Sequence, residues 1–279
     1  MVALETVLEA KSWRQLGVPK EKEELRKLQV AVHPDRCKDP RANDAFVNLM
    51  ALYNGPDYTL RVAEGVSTED HKIVWTPKKG FEDRLSPARA ALTRLHDLDP
   101  KFSMFFPTNE GVGLDKLTLS YGEGWWYLSD FPTPLDSRTV VWIAKRLAGA
   151  LHQSNKLGFA HCNIHPSTVL LLPTEHGLKI DGWWGAVTHG KRLILRPDGQ
   201  TPPKYLGGTV ADDRIDVAQA AAMLLSVGKS DRLIEETLQK HSKTPGTPVK
   251  FFEDIDDAAR RLYGKPTWHP LEVPKTQMI

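Results

Sequence analysis

Cysteine is scarce in this chain of 279 residues: Cys37 and Cys162 are its only two, and they stand in different parts of it. Neither a disulfide framework nor a paired-thiol metal motif can be built from them. That excludes the small disulfide-stapled folds and fits a reducing compartment. Long apolar runs are lacking too. No stretch approaches the roughly 18 apolar residues of a membrane span. The opening Met1-Val2-Ala3-Leu4-Glu5-Thr6 lacks the basic start and apolar stretch of a secretion signal. Charge of one sign is also lacking, with 37 Lys+Arg against 35 Asp+Glu and a formal net charge of +2. No global field therefore argues for a nucleic acid or a membrane as partner. Internal repeats and low-complexity segments are absent. What remains, 41% hydrophobic and 26% charged residues, is the make-up of a globular chain large enough to bury a real core. The expectation is a cytoplasmic protein.

Periodicity divides the chain. From Glu21 to Val32, Leu25, Leu28 and Val32 recur at spacings of three and four, with Lys22, Arg26 and Lys27 between them. This is an amphipathic helix with one buried and one basic face. Pro34 ends it, having no N–H to donate. A second helix is predicted over Ala42 to Tyr53 on Phe46, Leu49 and Tyr53, stopped by Asn54-Gly55-Pro56. The two form a helical hairpin, and Asn54–Tyr58 reads as a linker. Strands are expected at Tyr58–Val62 and His71–Trp75, then a helix from Asp83 to His96. A strand pair, Leu117–Ser120 with Trp125–Leu128, is expected to turn through Gly122-Glu123-Gly124. Beyond Pro134 the pattern is mainly helical. Asp136 or Ser137 can cap a helix striped by Val140, Ile143, Ala144, Leu147 and Leu151. A hairpin, Val169–Leu172 with Leu178–Asp181, precedes an all-round apolar helix from Asp216 to Val227.

The N-terminal segments Trp13-Arg14-Gln15-Leu16-Gly17-Val18, Leu25-Arg26-Lys27-Leu28, His33-Pro34-Asp35-Arg36, and Phe46, Leu49 and Tyr53 follow in an order that resembles the J-domain family. A lone His-Pro-Asp is a weak signal. Here it stands between two amphipathic helices with a basic helix before it. The resemblance implies that His33, Pro34 and Asp35 dock on a DnaK-type chaperone and stimulate its ATPase, with Arg26, Lys27 and Arg36 as electrostatic contacts to an acidic surface. Two departures stand out: Leu25 occupies the family's usual tyrosine position, and the span from Val18 to His33 is short.

A second resemblance covers roughly residues 58–265. The run Gly158-Phe159-Ala160-His161-Cys162-Asn163-Ile164-His165-Pro166-Ser167-Thr168-Val169-Leu170-Leu171 is similar to a protein-kinase catalytic loop. Ile180-Asp181-Gly182-Trp183 stands at the Asp-Phe-Gly strand, Thr201–Tyr205 at the Ala-Pro-Glu segment, and Ile215-Asp216-Val217-Ala218 at the buried helix that follows. The pairing of the two resemblances is that of a bacterial and phage group joining a J-domain to a kinase-like domain. The implied fold is α+β: an all-α J-domain hairpin over 1–56, then a bilobal kinase-like domain over 57–270 with a small β-rich N-lobe and a mainly helical C-lobe, and a tail over 271–279.

Phosphoryl transfer needs a carboxylate to take the substrate proton, an Asn and an Asp for two Mg²⁺ ions, and a Lys–Glu pair on the phosphates. Here the proton-accepting position is Asn163, a neutral amide that cannot act as base. The metal Asn is Thr168, the loop Lys is His165, and Ala88 stands nearest the expected Glu. No Gly-x-Gly-x-x-Gly run precedes the strand at His71–Trp75, and Lys72 and Lys78 are the two candidates for the phosphate lysine. Asp181 alone stays in place, the one residue left to hold the ATP and Mg²⁺ that the resemblance implies. His161, Cys162 and His165 have poor zinc spacing, and no metal site is expected. His161 is expected to pack the loop, Asp216 to hydrogen-bond its backbone, and Trp183 and Trp184 to anchor a core or an interface. The reading is a J-domain co-chaperone whose pseudokinase domain binds a client or regulatory partner. Two alternatives stand beside it: a divergent active serine/threonine kinase that a J-domain localises, and a chaperone-binding decoy of viral origin.

Overall fold

The structure, a computed structural model, describes residues 4–9, 16, 22–33, 35–46, 49, 63–69, 72–77, 79, 82–110, 115–193, 210–265, 267 and 269–271. They fall into two compact units, one within Met1–Asp57 and one within Tyr58–Val273. The division lies one residue beyond the expected junction. The expected tail, Leu271 apart, lies outside the described residues, as do Pro34, Lys78, the strand at 58–62, the segment 201–205 and the end of the helix expected to reach Tyr53.

The first unit carries α1 (Leu4–Glu9) and α2 (Lys22–Val32), with residues 42–46 and 49 helical beyond the loop. The three-and-four spacing of α2 does what it predicts. Leu25, Leu28 and Val32 bury against Val7 of α1, Leu16, Ala45 and Leu49 in one apolar cluster. α1 is an addition to the sequence reading, since six residues are too few to establish a period. Arg41 secures the loop end: its Nη2 lies 2.5 Å from Glu5 Oε1 and 2.9 Å from Asp39 Oδ2.

In the second unit a four-stranded antiparallel sheet has the order β1 (Ala63–Glu69), β2 (Lys72–Pro77), β4 (Leu117–Ser120), β3 (Thr108–Asn109). Between β2 and β3 the chain makes a turn of 3₁₀ helix at Glu82–Arg84, then α3 (Leu85–His96) and the short α4 (Pro100–Ser103). Leu85, Ala88, Ala91, Leu92 and Leu95 form the buried face of α3. β1 is polar in sequence and lies at the sheet edge, where strand propensity is a poor guide. The expected strand Trp125–Leu128 is corrected. Only Trp126–Tyr127 (β5) is extended, and it pairs with β7 (Val169–Leu172) in a different sheet instead of folding back on β4. Gly122 and Gly124 both adopt positive φ, 75° and 76°, and this backbone, open to glycine, leads the chain out of the first sheet.

The larger lobe is built on α5 (Ser137–Lys156), α6 (Ile215–Val227), α7 (Arg232–Lys243) and α8 (Pro248–Tyr263). Asp136 caps α5 by accepting from the Arg138 and Thr139 N–H groups at 2.9 and 3.1 Å. The stripe Val140, Ile143, Ala144, Leu147 and Leu151 is fully buried. The hairpin of β7 with β8 (Gly177–Ile180) and the pair β6 (Phe159–Ala160) with β9 (Val187–Thr188) lie against this core. One apolar cluster runs from Ile73 and Trp75 of the small sheet to Phe251 and Ile255 of α8, so both lobes share a core. Leu147 lies wholly inside it. Leu147→Ala is expected to lower the unfolding free energy of this unit by about 2–5 kcal/mol, read as a lower urea midpoint at unchanged slope.

Candidate functional site

Two segments carry the chemistry-bearing residues, and they differ in exposure. In the first unit the chain leaves α2 at His33 and turns at once. The Arg36 and Cys37 N–H groups donate to the His33 carbonyl at 2.9 and 2.8 Å. The Asp35 N–H donates to His33 Nδ1 at 3.2 Å, and the Asp35 carboxylate lies 3.7 Å from the same nitrogen. The ring meets Phe46 edge-on at 5.3 Å between centroids. This fixes the imidazole yet leaves 40% of the His33 side chain and 87% of the Asp35 side chain open to solvent. Arg26, His33, Asp35 and Arg36 line one concavity with Gln29, Val30 and Phe46. Lys27, named with them from the sequence, points elsewhere: it pairs with Glu23 and Glu24 of its own helix at 3.2 and 2.6 Å. Gln29 and Val30 join the concavity because they sit four and three residues before His33 on a helical face.

In the second unit the loop 161–168 is held from beneath. The Asp216 carboxylate, at the start of α6, accepts the His161 and Cys162 N–H groups at 2.7 Å each. One turn on, Gln219 accepts from the Ile164 N–H at 3.0 Å and donates to the Cys162 carbonyl at 3.3 Å. The clamp holds Cys162 at φ 60°. Burial raises the Asp216 pKa to about 6, against the pull of its two N–H donors. Burial likewise drives His161 down to about 3, so its ring is neutral and packs edge-on against Trp183 at 4.6 Å. Gln219 escaped the sequence reading. A polar residue three places after Asp216 in an otherwise apolar helix was the available signal.

The residues expected at phosphoryl-transfer positions make structural contacts. Asn163 donates through Nδ2 to the Gly182 carbonyl at 3.2 Å. The Thr168 hydroxyl donates to the Asn163 carbonyl at 2.7 Å and accepts from the His165 N–H at 3.2 Å. Gly182 has φ 85°, and a Cβ there would lie 2.7 Å from both Asn163 Nδ2 and Thr168 Cγ2. Glycine is therefore required by conformation and by space. Asp181 is 2% exposed and accepts the Tyr127 hydroxyl on Oδ2 at 3.0 Å. Tyr127 arrives through the β5–β7 pairing, which nothing in its local sequence signals. Lys72 is exposed and pairs with Glu110 at 2.9 Å. The buried positions of β2 are Ile73, Trp75 and Pro77. Trp75 stacks on Trp184 with centroids 5.6 Å apart and planes at 9°. Ala88 is fully buried and apolar.

A kinase-like fold is compatible with ATP and Mg²⁺, but these side chains do not fit them. Asp181 Oδ1 and Asn163 Oδ1 accept no hydrogen bond among the described residues. The Asp181 carboxyl, however, is buried and its pKa is raised to about 6 by that burial. The Thr168 hydroxyl is committed to the main chain. The described buried face of β2 offers an indole in place of a phosphate-binding cation. Among the described residues no cluster of His, Cys, Asp and Glu is placed to hold a metal ion, and no helix is long and apolar enough to cross a membrane.

Comparison with known proteins shows the fold. No protein-family model matches the chain, and no curated protein matches it. Among solved structures, one double mutant of the Mycobacterium tuberculosis PknI kinase domain superposes with a TM-score of 0.51 at 14% identity, covering 67% of this chain and 85% of that one. A second double mutant of the same domain gives 0.50 at 13% identity, covering 71% and 97%. The chain thus contains a bilobal protein-kinase-like fold.

A carboxyl whose pKa is raised by folding stabilises the fold when protonated. Its favourable contribution is complete below the unfolded value near 4 and disappears as pH rises through about 6. Asp181→Asn keeps the acceptor for Tyr127 and removes the buried charge. It is expected to match wild-type stability at pH 4 and to exceed it at pH 8 by on the order of 3 kcal/mol, measured by urea unfolding at both pH values.

Proposed function

We propose that this protein is a J-domain-type co-chaperone. Its His33–Asp35 loop engages a DnaK-type chaperone and stimulates ATP hydrolysis, while its kinase-like unit holds a client or regulatory partner without transferring phosphate. The observation that carries the reading is the His33 loop itself. An imidazole held by a backbone N–H and a carboxylate 3.7 Å from it remain open to solvent and border a concavity with Arg26 and Arg36. A loop that must insert into a partner needs that combination of order and exposure, since a preformed loop loses little entropy on binding. The ordered match of the segments around Leu16, Leu25–Leu28, His33–Asp35 and Phe46 supports the same reading. Arg26 and Arg36 supply positive charge for an acidic surface, which raises the encounter rate and fixes register. The cytoplasm is the compartment this reading implies.

Loss of phosphoryl transfer is supported by Asn163 in the base position and by the buried Asp181–Tyr127 contact. A positioned general base contributes roughly 10²–10⁴ in rate, so its replacement by an amide alone removes most of the activity. Radiolabelled ATP with Mg²⁺ is expected to label neither the protein nor an added generic substrate. Label that disappears in Asp181→Ala would establish the divergent-kinase reading instead.

The deciding measurement is single-turnover ATP hydrolysis by a DnaK-type chaperone. The wild-type chain is expected to accelerate it several-fold, and His33→Gln to abolish the acceleration while leaving the fold intact by circular dichroism. Binding with an unchanged hydrolysis rate would sink the co-chaperone reading in favour of a decoy. The double variant Arg26→Ala, Arg36→Ala should slow association and flatten its dependence on ionic strength, because screening acts on the same charges.

A further inference from the structure

A cavity of about 480 Å³ lies in the larger unit, away from the loop 161–168, walled by α4, α5, the β7–β8 turn, α8 and the residues Gly264, Lys265, Thr267 and His269. Its apolar lining includes Phe105, Val141, Trp142 and Phe252. Its charged lining is one-sided: Arg138, Lys145, Arg146, Arg260 and Lys265 accompany a single carboxylate, Asp256. That carboxylate is already shared by Lys145 at 2.5 Å and Arg260 at 2.6 Å. Arg146 and Lys265 take part in no ion pair among the described residues, so cationic charge is in surplus at the wall.

Two further features mark the cavity as a place for a ligand. Trp142 lines the cavity, and its indole N–H is buried and meets no acceptor among the described residues. Gly149 sits within the 20-residue α5 and lines the cavity. A Cβ at this position would meet only Phe105 Cζ, at 4.0 Å, so protein packing does not demand glycine. Glycine inside a helix is less stable than alanine. What its missing side chain preserves is empty volume.

We propose that this cavity binds a small amphipathic anion, with an acyl or aryl body against Phe105, Trp142 and Phe252 and a carboxylate or phosphate head toward Arg146 and Lys265. The volume falls within the roughly 300–1,000 Å³ of small-molecule sites. Walls drawn from five chain segments surround a compact ligand better than they follow an extended peptide. The apolar body gains by leaving water, and the surplus charge selects the anion. The assignment is independent of the role given to His33.

Fluorescence titration of the full chain with dansylated undecanoic acid tests it. Saturable binding to one site is expected, displaced by decanoate and by decyl phosphate. Decanol, which has the body without the charge, and inorganic phosphate, which has the charge without the body, should each compete at least about tenfold more weakly. Gly149→Leu fills the floor and should remove binding. Should that variant melt early, the surface pair Arg146→Gln, Lys265→Gln gives a second measure: weaker decanoate binding by about tenfold with decanol unchanged. The proposal is overturned if decanol competes as well as decanoate, or if a folded variant of either kind retains wild-type affinity. It is equally overturned if an acetylated acidic peptide binds and decanoate does not displace it.

Discussion

The carboxylate of Asp216 holds the loop of the larger unit in shape. It reaches from the buried helix α6 and takes the N–H groups of two consecutive residues, His161 and Cys162, at hydrogen-bond lengths of 2.7 Å. Bonds of this kind to a charged group contribute on the order of 1.5–3 kcal/mol each. Losing the carboxylate would also leave two buried donors unpaired. Gln219 extends the clamp by one helical turn to Ile164 and Cys162. The positive φ of Cys162, the inward His161 and the placement of Asn163 follow from these contacts. The framework of the kinase-like loop is thus independent of the residues that perform phosphoryl transfer, and it can persist when they are replaced.

The buried polar groups of this region are satisfied largely within the protein. Asn163 donates to the Gly182 carbonyl, the Thr168 hydroxyl donates to the Asn163 carbonyl, and the Tyr127 hydroxyl donates to one oxygen of Asp181. Trp75 and Trp184 fill the space between the small sheet and the segment after Asp181 with a parallel stack. Burial then favours the neutral forms of the groups that remain, the Asp181 carboxyl and the His161 imidazole alike. The residues around Asp181 thus form part of a core shared by both lobes.

The surfaces offer a different chemistry. The His33 loop differs from the buried loop in the property that matters to a macromolecular partner. The His33 ring accepts the Asp35 N–H, and both side chains are accessible beside Arg26 and Arg36. The cationic cavity between α5 and α8 is likewise open to solvent chemistry. Both are built on helices whose apolar stripes are fixed in their own cores, so the exposed faces are free to carry specificity.

Much of this was legible in the residues. The stripe of α5, the Asp136 cap, the β7–β8 hairpin and the apolar α6 all follow from spacing or from residue chemistry, because helix period and capping are local properties. The assignment of Asp216 to the loop backbone came from the resemblance to a kinase loop and helix, and a buried carboxylate does need donors. Other features needed the folded chain. The pairing of Trp126–Tyr127 with β7 rather than β4, the Tyr127 bond to Asp181, the Trp75–Trp184 stack and the diversion of Lys27 into pairs on its own helix join residues that their neighbours in sequence do not predict. They arise from which surfaces meet when two lobes bury a common core, and the open volume beside Gly149 exists only because those surfaces stop short of touching there.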